Sequence, residues 1–190
     1  KGFAVSTTTL ALTDDIKING VQVGATTLAT AQAKAAAINA ISDQTGVTAQ
    51  ATTIMDLELD FATSATNATF KLNGKLVELN DLDSVSDVVS EINSPPATIG
   101  GYGVVASATE KGLLRLTNSD GGDITYTPVT VAGFVTAVTD GDNIATTAAT
   151  SPNLLRISGN ITLTSEDGGV IQLTDGTVAN TGLAKLGLEG

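Results

Sequence analysis

Two short signatures recur in this chain at one fixed spacing, and that recurrence limits its architecture more than any other feature. Ile16-Lys17-Ile18-Asn19-Gly20 returns as Phe70-Lys71-Leu72-Asn73-Gly74, and Ile38-Asn39 returns as Ile92-Asn93. Both are displaced by 54 positions, from 19 to 73 and from 39 to 93. Self-similarity at a fixed period of this kind marks one supersecondary unit used more than once.

Each copy can be read physically. Asn-Gly between two short apolar runs signals a hairpin, because a type I′ turn needs positive φ at both central residues and Asn and Gly tolerate it best. Asp15 to Ile18 should therefore pair with Val21 to Gly24, and Thr69 to Leu72 with Lys75 to Leu79. Beyond the second hairpin, Val85, Val88, Val89 and Ile92 fall at three- and four-residue spacing, with Asp83 or Ser84 placed to cap the first turn. The matching stretch, Thr30 to Ile41, is richer in Ala and has Lys34 where Val88 stands, while Ala35, Ile38 and Ile41 keep the apolar face. Pro95 and Pro96 stop the second helix, and Gly46 ends the connection after the first. A strand follows each helix, Val47 to Ala51 and Gly103 to Ala108. The second continues through Glu110-Lys111-Gly112 into Leu113 to Thr117, so the unit reads as hairpin, helix, hairpin.

A tail element also returns, since Thr117-Asn118-Ser119-Asp120-Gly121-Gly122-Asp123-Ile124 is echoed 47 positions later, from 117 to 164, by Thr164-Ser165-Glu166-Asp167-Gly168-Gly169-Val170-Ile171. On this reading residues 150–190 form a hairpin-only copy with turns at Gly159-Asn160, Asp167-Gly168 and Asp175-Gly176. Ala62 to Ala68 and Ala145 to Pro152 lack periodicity and serve as candidate linkers. The expected organisation is one module over 1–62 and a second over 66–190. The expected fold is α+β, mostly antiparallel β hairpins with two short amphipathic helices in repeat-built modules.

Composition excludes several functions. Nine basic against 20 acidic side chains give a net charge of −11, which repels nucleic-acid phosphates and anionic lipid surfaces. Cysteine and histidine are both absent, removing disulfides, thiolate chemistry and the commonest general base and metal ligand. With 3% aromatic residues, the core must be filled by Ala, Val, Ile and Leu, and stacking surfaces for ligands are not expected. No run of about 18 apolar residues marks a membrane helix, and Lys1 to Leu10 lacks the pattern of a secretory signal. Both ends read as cuts within a longer protein.

Three features could carry chemistry. Asp56, Glu58 and Asp60 alternate with Met55, Leu57, Leu59 and Phe61, which in a strand sets three carboxylates on one face, the raw material of glycoside hydrolysis. The same alternation makes a half-buried strand with a charged outer row, and that reading is preferred. Acidic Gly-containing turns at Asp120 to Asp123, Asp140 to Asn143 and Glu166 to Gly169 offer oxygen ligands but lack the spacing of calcium loops. Lys34, Lys71, Lys75, Lys111, Arg115 and Arg156 are dispersed and read as solvated charges or partners of the acids. Asn67-Ala68-Thr69 and Asn160-Ile161-Thr162 match the glycosylation sequon. No residue is assigned as catalytic, cofactor-binding or metal-ligating, and no cofactor is expected.

Ile18-Asn19-Gly20-Val21, a helix ending Ile38-Asn39-Ala40, and Thr45-Gly46-Val47-Thr48-Ala49 together resemble the repeat known as the flagellin hook IN motif. The second copy carries it through Leu72-Asn73-Gly74, Val89-Ser90-Glu91-Ile92-Asn93, Val105-Ala106-Ser107 and Leu114-Arg115-Leu116-Thr117. The resemblance covers most of residues 15–125. It implies a non-enzymatic outer, variable domain of a bacterial flagellin, extracellular on the flagellum, whose neighbouring subunits meet through regions this chain lacks. It also leaves room for a flagellar hook-associated or cap protein. The first copy lacks the Leu-x-Leu-Thr tail after Ala49. Outside the family, an extracellular adhesin or glycan-binding module would use loops such as Gly100-Gly101-Tyr102 or Asp140-Gly141-Asp142. Expected contacts are host or phage surfaces, with neither nucleic acid nor membrane, and the fragment itself is expected to be monomeric.

Overall fold

The computed structural model describes residues 3–62, 67–80, 83–130, 133–141, 145–148, 154–176 and 181–188. In chain order it contains a 3-10 turn at Leu12–Asp14, β1 (Lys17–Ile18), β2 (Val21–Gln22), α1 (Ala31–Asn39), the short α2 (Ser42–Thr45), β3 (Val47–Leu59), β4 (Asn67–Leu72) and β5 (Lys75–Asn80). There follow α3 (Val85–Asn93), β6 (Val105–Ala108), β7 (Leu114–Asn118), β8 (Ile124–Pro128), β9 (Val135–Thr139), β10 (Ala145–Ala148), β11 (Leu155–Ile157), β12 (Asn160–Ser165), β13 (Leu173–Thr174) and α4 (Thr181–Leu186). The fold is α+β with antiparallel sheets, as the hairpin-rich pattern predicts. Two short helices, α2 and α4, add to the two that the apolar spacing predicts.

The helices begin and end for local reasons. The Thr30 hydroxyl accepts from the Ala33 N–H at 3.3 Å, and the Ser84 hydroxyl does the same for Asp87 at 3.3 Å, each satisfying a donor that the first turn leaves orphaned. Asp83 therefore yields the cap to Ser84. At the far end Ser94 is non-helical, as the residue before Pro95 must be to avoid the ring. The α2 turn closes on Gly46 at φ 64°, whose N–H returns to the Ser42 carbonyl at 2.8 Å.

The second unit comprises Ile54–Asn118 and Ile124–Ile157. Its strands run in the orders β11-β8-β4-β5 and β10-β9-β3-β7-β6, with β3 contributing its residues from Ile54 onward. Val88 and Ile92 of α3 are buried in a core with Phe70, Leu72, Leu114 and Leu116, each worth about 1.5–3 kcal/mol on burial. That core is not purely aliphatic. Phe70 and Tyr126 pack at 5.1 Å between ring centroids, Phe61 and Phe134 meet edge to face at 5.7 Å, and Tyr102 is buried.

The first unit comprises Lys1–Thr53, Ser119–Asp123 and Ser158–Gly190. Its strands run in the order β13-β1-β2, and the opening part of β3 pairs with β12. Here the core is aliphatic, built on Ile16, Ile18, Ile38, Val47, Ile161 and Leu186.

Compared strand by strand, the two units are one design. Lys17 and Ile18 pair with Thr174 and Leu173, and Lys71 and Leu72 pair with Thr127 and Tyr126. The two displacements read from the sequence, 54 positions for the opening hairpin and 47 for the tail, convert one set of partners into the other. Ala49 opposite Leu163 likewise matches Ala106 opposite Leu116. The role that β7 and β8 play in the second unit is thus played in the first by β12 and β13, and the missing Leu-x-Leu-Thr tail is Ile161-Thr162-Leu163-Thr164.

The chain therefore does not divide at 62 and 66. The second unit is inserted between the opening part of β3, which ends at Thr53, and β12, with Ser119–Asp123 returning to the first unit midway, and residues 158–188 complete the first unit instead of forming a separate hairpin-only copy. A strand's distant partner leaves no local trace, so a linear reading assigns the tail to its neighbour in sequence. Of the expected tail turns, Glu166–Gly168 does turn, whereas Asn160 enters β12 directly. The Asp175 carboxylate accepts from the Gly182 N–H of α4 at 3.0 Å, and positions 177–180, through which a hairpin at Asp175-Gly176 would return, lie outside the described residues. The Ala145 to Pro152 linker is partly strand, as β10; positions 149–152 lie outside the described residues, as do 63–66 of the other linker.

Candidate functional site

The four motif asparagines are where the structure concentrates its polar geometry. Asn19 and Asn73 hold φ of 49° and 51°, with Gly20 and Gly74 at 84° and 79°, the left-handed pair a type I′ turn requires. From that position each side chain makes the same two bonds. Asn73 Nδ2 donates to the Tyr102 carbonyl at 2.9 Å and its Oδ1 accepts from the Thr125 N–H at 2.8 Å, while its own N–H donates to the Thr125 carbonyl at 2.9 Å. Asn19 repeats this with Thr45 at 2.8 Å and Gln172 at 2.8 and 2.9 Å. One side chain thus ties the hairpin to the strand region of β8 or β13 and to the segment following the helix.

Asn39 and Asn93 form a second kind of latch. Asn93 donates to the Ala106 carbonyl and accepts from the Ala106 N–H, both at 2.8 Å; Asn39 does the same at Ala49, at 2.9 and 2.7 Å. A carboxamide so placed substitutes for a neighbouring strand. On β6, the last strand of its sheet, it occupies backbone groups that would otherwise template edge pairing. The latch spans 10 residues in the first unit and 13 in the second, so the loop can grow while the pair of bonds stays fixed.

The carboxylate row does not assemble into a catalytic pair. Asp56 is 4% exposed, because β3 is covered on both faces there, and Arg115 holds it in a fork with Nε to Oδ1 at 2.7 Å and Nη2 to Oδ2 at 2.6 Å. Glu58 is exposed, and Asp60 turns back to accept from the Ala62 N–H at 2.8 Å. The expected single carboxylate face thus breaks at Asp56. Beside the fork lies an open cleft of about 420 Å³ lined by Asp56, Ser107, Thr109, Glu110, Lys111 and Arg115 among others. Arg115 is accordingly a fixed partner, not a freely solvated charge. Removing one member of a buried pair strands the other, but Arg115 keeps partial access to water. Asp56→Ala is therefore expected to cost about 2 kcal/mol and Asp56→Leu with Arg115→Leu less, read by urea unfolding followed through tyrosine fluorescence.

Lys34 departs furthest from the sequence reading. It is 0% exposed at the position of Val88, and its ammonium donates to the carbonyls of Ser6 and Lys185, both at 2.7 Å. Burial pushes its pKa down to about 8, against the nearby Asp123 carboxylate, which favours the charged form. Lys185 in turn bonds both Asp14 oxygens, at 2.7 and 2.8 Å. Burial opposes ionisation of Asp14, but the Ala11 N–H and Lys185 outweigh it and hold the carboxyl below its usual range.

The described parts of the acidic turns pack and bond within the fold. The Gly121 carbonyl accepts from the Gln32 N–H at 3.1 Å, and a Cβ at Gly121, already at φ 75°, would overlap Ala51. Asp167 accepts from the Ser165 hydroxyl at 2.6 Å and the Gly169 N–H at 2.9 Å, which lowers its pKa. In the turn from Asp140 to Asn143, a Cβ at Gly141 would overlap Ile54, and Asp142 and Asn143 lie outside the described residues. The Asn67 side chain of one sequon also lies outside them, and Asn160 of the other pairs with Thr52. Among the described residues, no three acidic side chains gather as a metal site. In the Gly100-Gly101-Tyr102 loop, Tyr102 is buried and its hydroxyl donates to the Leu76 carbonyl at 3.1 Å, so it is withdrawn from any ligand. No helix among the described residues is long and apolar enough to cross a membrane. No protein-family model and no curated protein matched this chain.

Proposed function

We propose that this chain is a structural, surface-exposed outer region of a bacterial flagellar filament subunit, contributing filament surface and extracellular identity without catalysis. The observation that carries this reading is the use made of the motif. The residues on which the resemblance rests, Asn19, Asn39, Asn73 and Asn93, are those whose side chains latch each unit together. The likeness therefore extends to the positions on which the fold depends. A second support is that the Phe3 N–H donates to the Gly187 carbonyl at 2.8 Å, so entry and exit run side by side, the geometry that lets a module project from a longer chain.

Immunogold electron microscopy on whole cells, with antibody raised against this chain, tests the reading. Labelling along the full filament is the expected result. Labelling confined to the filament tip or hook junction would move the chain to a hook-associated or cap protein. Label on the cell body alone would overturn the filament assignment in favour of an adhesin.

A further inference from the structure

The two units pose a recognition problem that their backbones do not solve. Each is built from an opening half and a closing half: β1, β2, α1 and the start of β3 with β12, β13 and α4 in the first, and β4, β5, α3 and β6 with β7 and β8 in the second. The registers of the halves are equivalent, Ala49–Leu163 with Ala106–Leu116 and Ile18–Leu173 with Leu72–Tyr126. The motif asparagines are identical as well. Hydrogen bonds along the ladders therefore cannot tell the correct closing half from the wrong one, so side chains that differ between the copies must do so.

We propose that Lys34 is the residue that decides which closing half completes the first unit. It stands on the buried face of α1 where α3 carries Val88, and both positions are 0% exposed. One of the two carbonyls that accept from its ammonium belongs to Lys185, in α4, which follows β13 and has no helical counterpart after β8 among the described residues. The other belongs to Ser6 in the arm before β1. The Lys185 side chain bonds Asp14, fixing α4 over the same unit. If β7 and β8 closed the first opening half, the Lys34 ammonium would be buried without the α4 carbonyl. If β12, β13 and α4 closed the second, that carbonyl would meet the apolar Val88. The first exchange leaves a buried ammonium short of a partner and the second sets a carbonyl against an apolar side chain, the kind of penalty by which a single buried polar residue selects among otherwise equivalent pairings.

The test places cysteine pairs in this 190-residue chain, which has none of its own. Thr48→Cys with Thr164→Cys reports the native pairing, because those residues are directly opposed. Thr48→Cys with Thr117→Cys reports exchange, because Thr117 holds the place of Thr164 in the other closing half. Each is unfolded in urea, refolded and oxidised with oxidised glutathione. With Lys34 present, the native reporter should cross-link and the exchange reporter should stay at background. With Lys34→Val, the residue of the other copy, exchange cross-linking should rise about tenfold or more, within one chain or between two. Lys34→Met keeps the length of the stem without the charge and should act in the same direction. If neither variant raises exchange, whether or not each refolds, Lys34 serves stability alone and the proposal is overturned.

Discussion

Replacing Asn73 with alanine is expected to destabilise the second unit by about 3 kcal/mol. The two short side-chain hydrogen bonds disappear together with a longer one of 3.4 Å from the Thr125 hydroxyl, leaving the Tyr102 carbonyl and Thr125 N–H without these partners, at about 1 kcal/mol each for the short pair. Alanine must also hold φ near 51°, which costs a residue with a Cβ about 1 kcal/mol more. Asn73→Gly separates the two contributions, since glycine accepts the conformation but lacks the latch, and should lose about 2 kcal/mol. Both tyrosines lie in the second unit, so urea unfolding followed by tyrosine fluorescence reads it directly. Equal stability of wild type and Asn73→Ala would mean that the motif asparagine is a turn former only.

The second large effect is alkaline. The Lys34 amine ionises at about 8 in the folded chain and near 10.5 when unfolded. Between those values the unfolded chain holds the proton that the folded chain has released, so stability rises with pH across that window. Below pH 8 both states are protonated and the full burial penalty stands. The expected gain across two pH units of that window is about 2 kcal/mol, seen as a higher urea midpoint by circular dichroism. Lys34→Met should abolish the rise. The second unit responds in the opposite sense: burial pushes the Tyr126 hydroxyl up to about 12, so above its ordinary value of 10 the unfolded chain loses that proton first and stability falls.

Local features are legible in the sequence and distant partnerships are not. The Asn-Gly turns, the capped helix over Val85–Asn93 and the α+β class follow from signals within a few residues. The identity of the closing half of the first unit does not, because β12 finds β3 across an entire inserted unit. The echo of Leu114-Arg115-Leu116-Thr117 at Ile161-Thr162-Leu163-Thr164 is the clue the chain offers, readable only when the missing tail and the surplus tail are set against each other. Lys34 reads as a surface charge because lysine is rarely buried, although its position on the apolar face, where the other copy has Val88, carries the contrary signal. Asp56 misleads because alternation assumes one solvated face, and this part of β3 has none. Tyr102 sits beside two glycines in a loop, and nothing local foretells that its ring is buried and its hydroxyl spent on Leu76.

Residues 158–188 complete the first unit and do not form a module of their own. Gln50 and Thr162 are exposed and directly opposed on β3 and β12, and antiparallel partners lie within disulfide reach. Gln50→Cys with Thr162→Cys, oxidised in the folded protein and read by mass spectrometry after proteolysis, should give one intramolecular cross-link in nearly every chain. Two free thiols under the same conditions, with the protein still folded, would mean that β12 does not pair with β3.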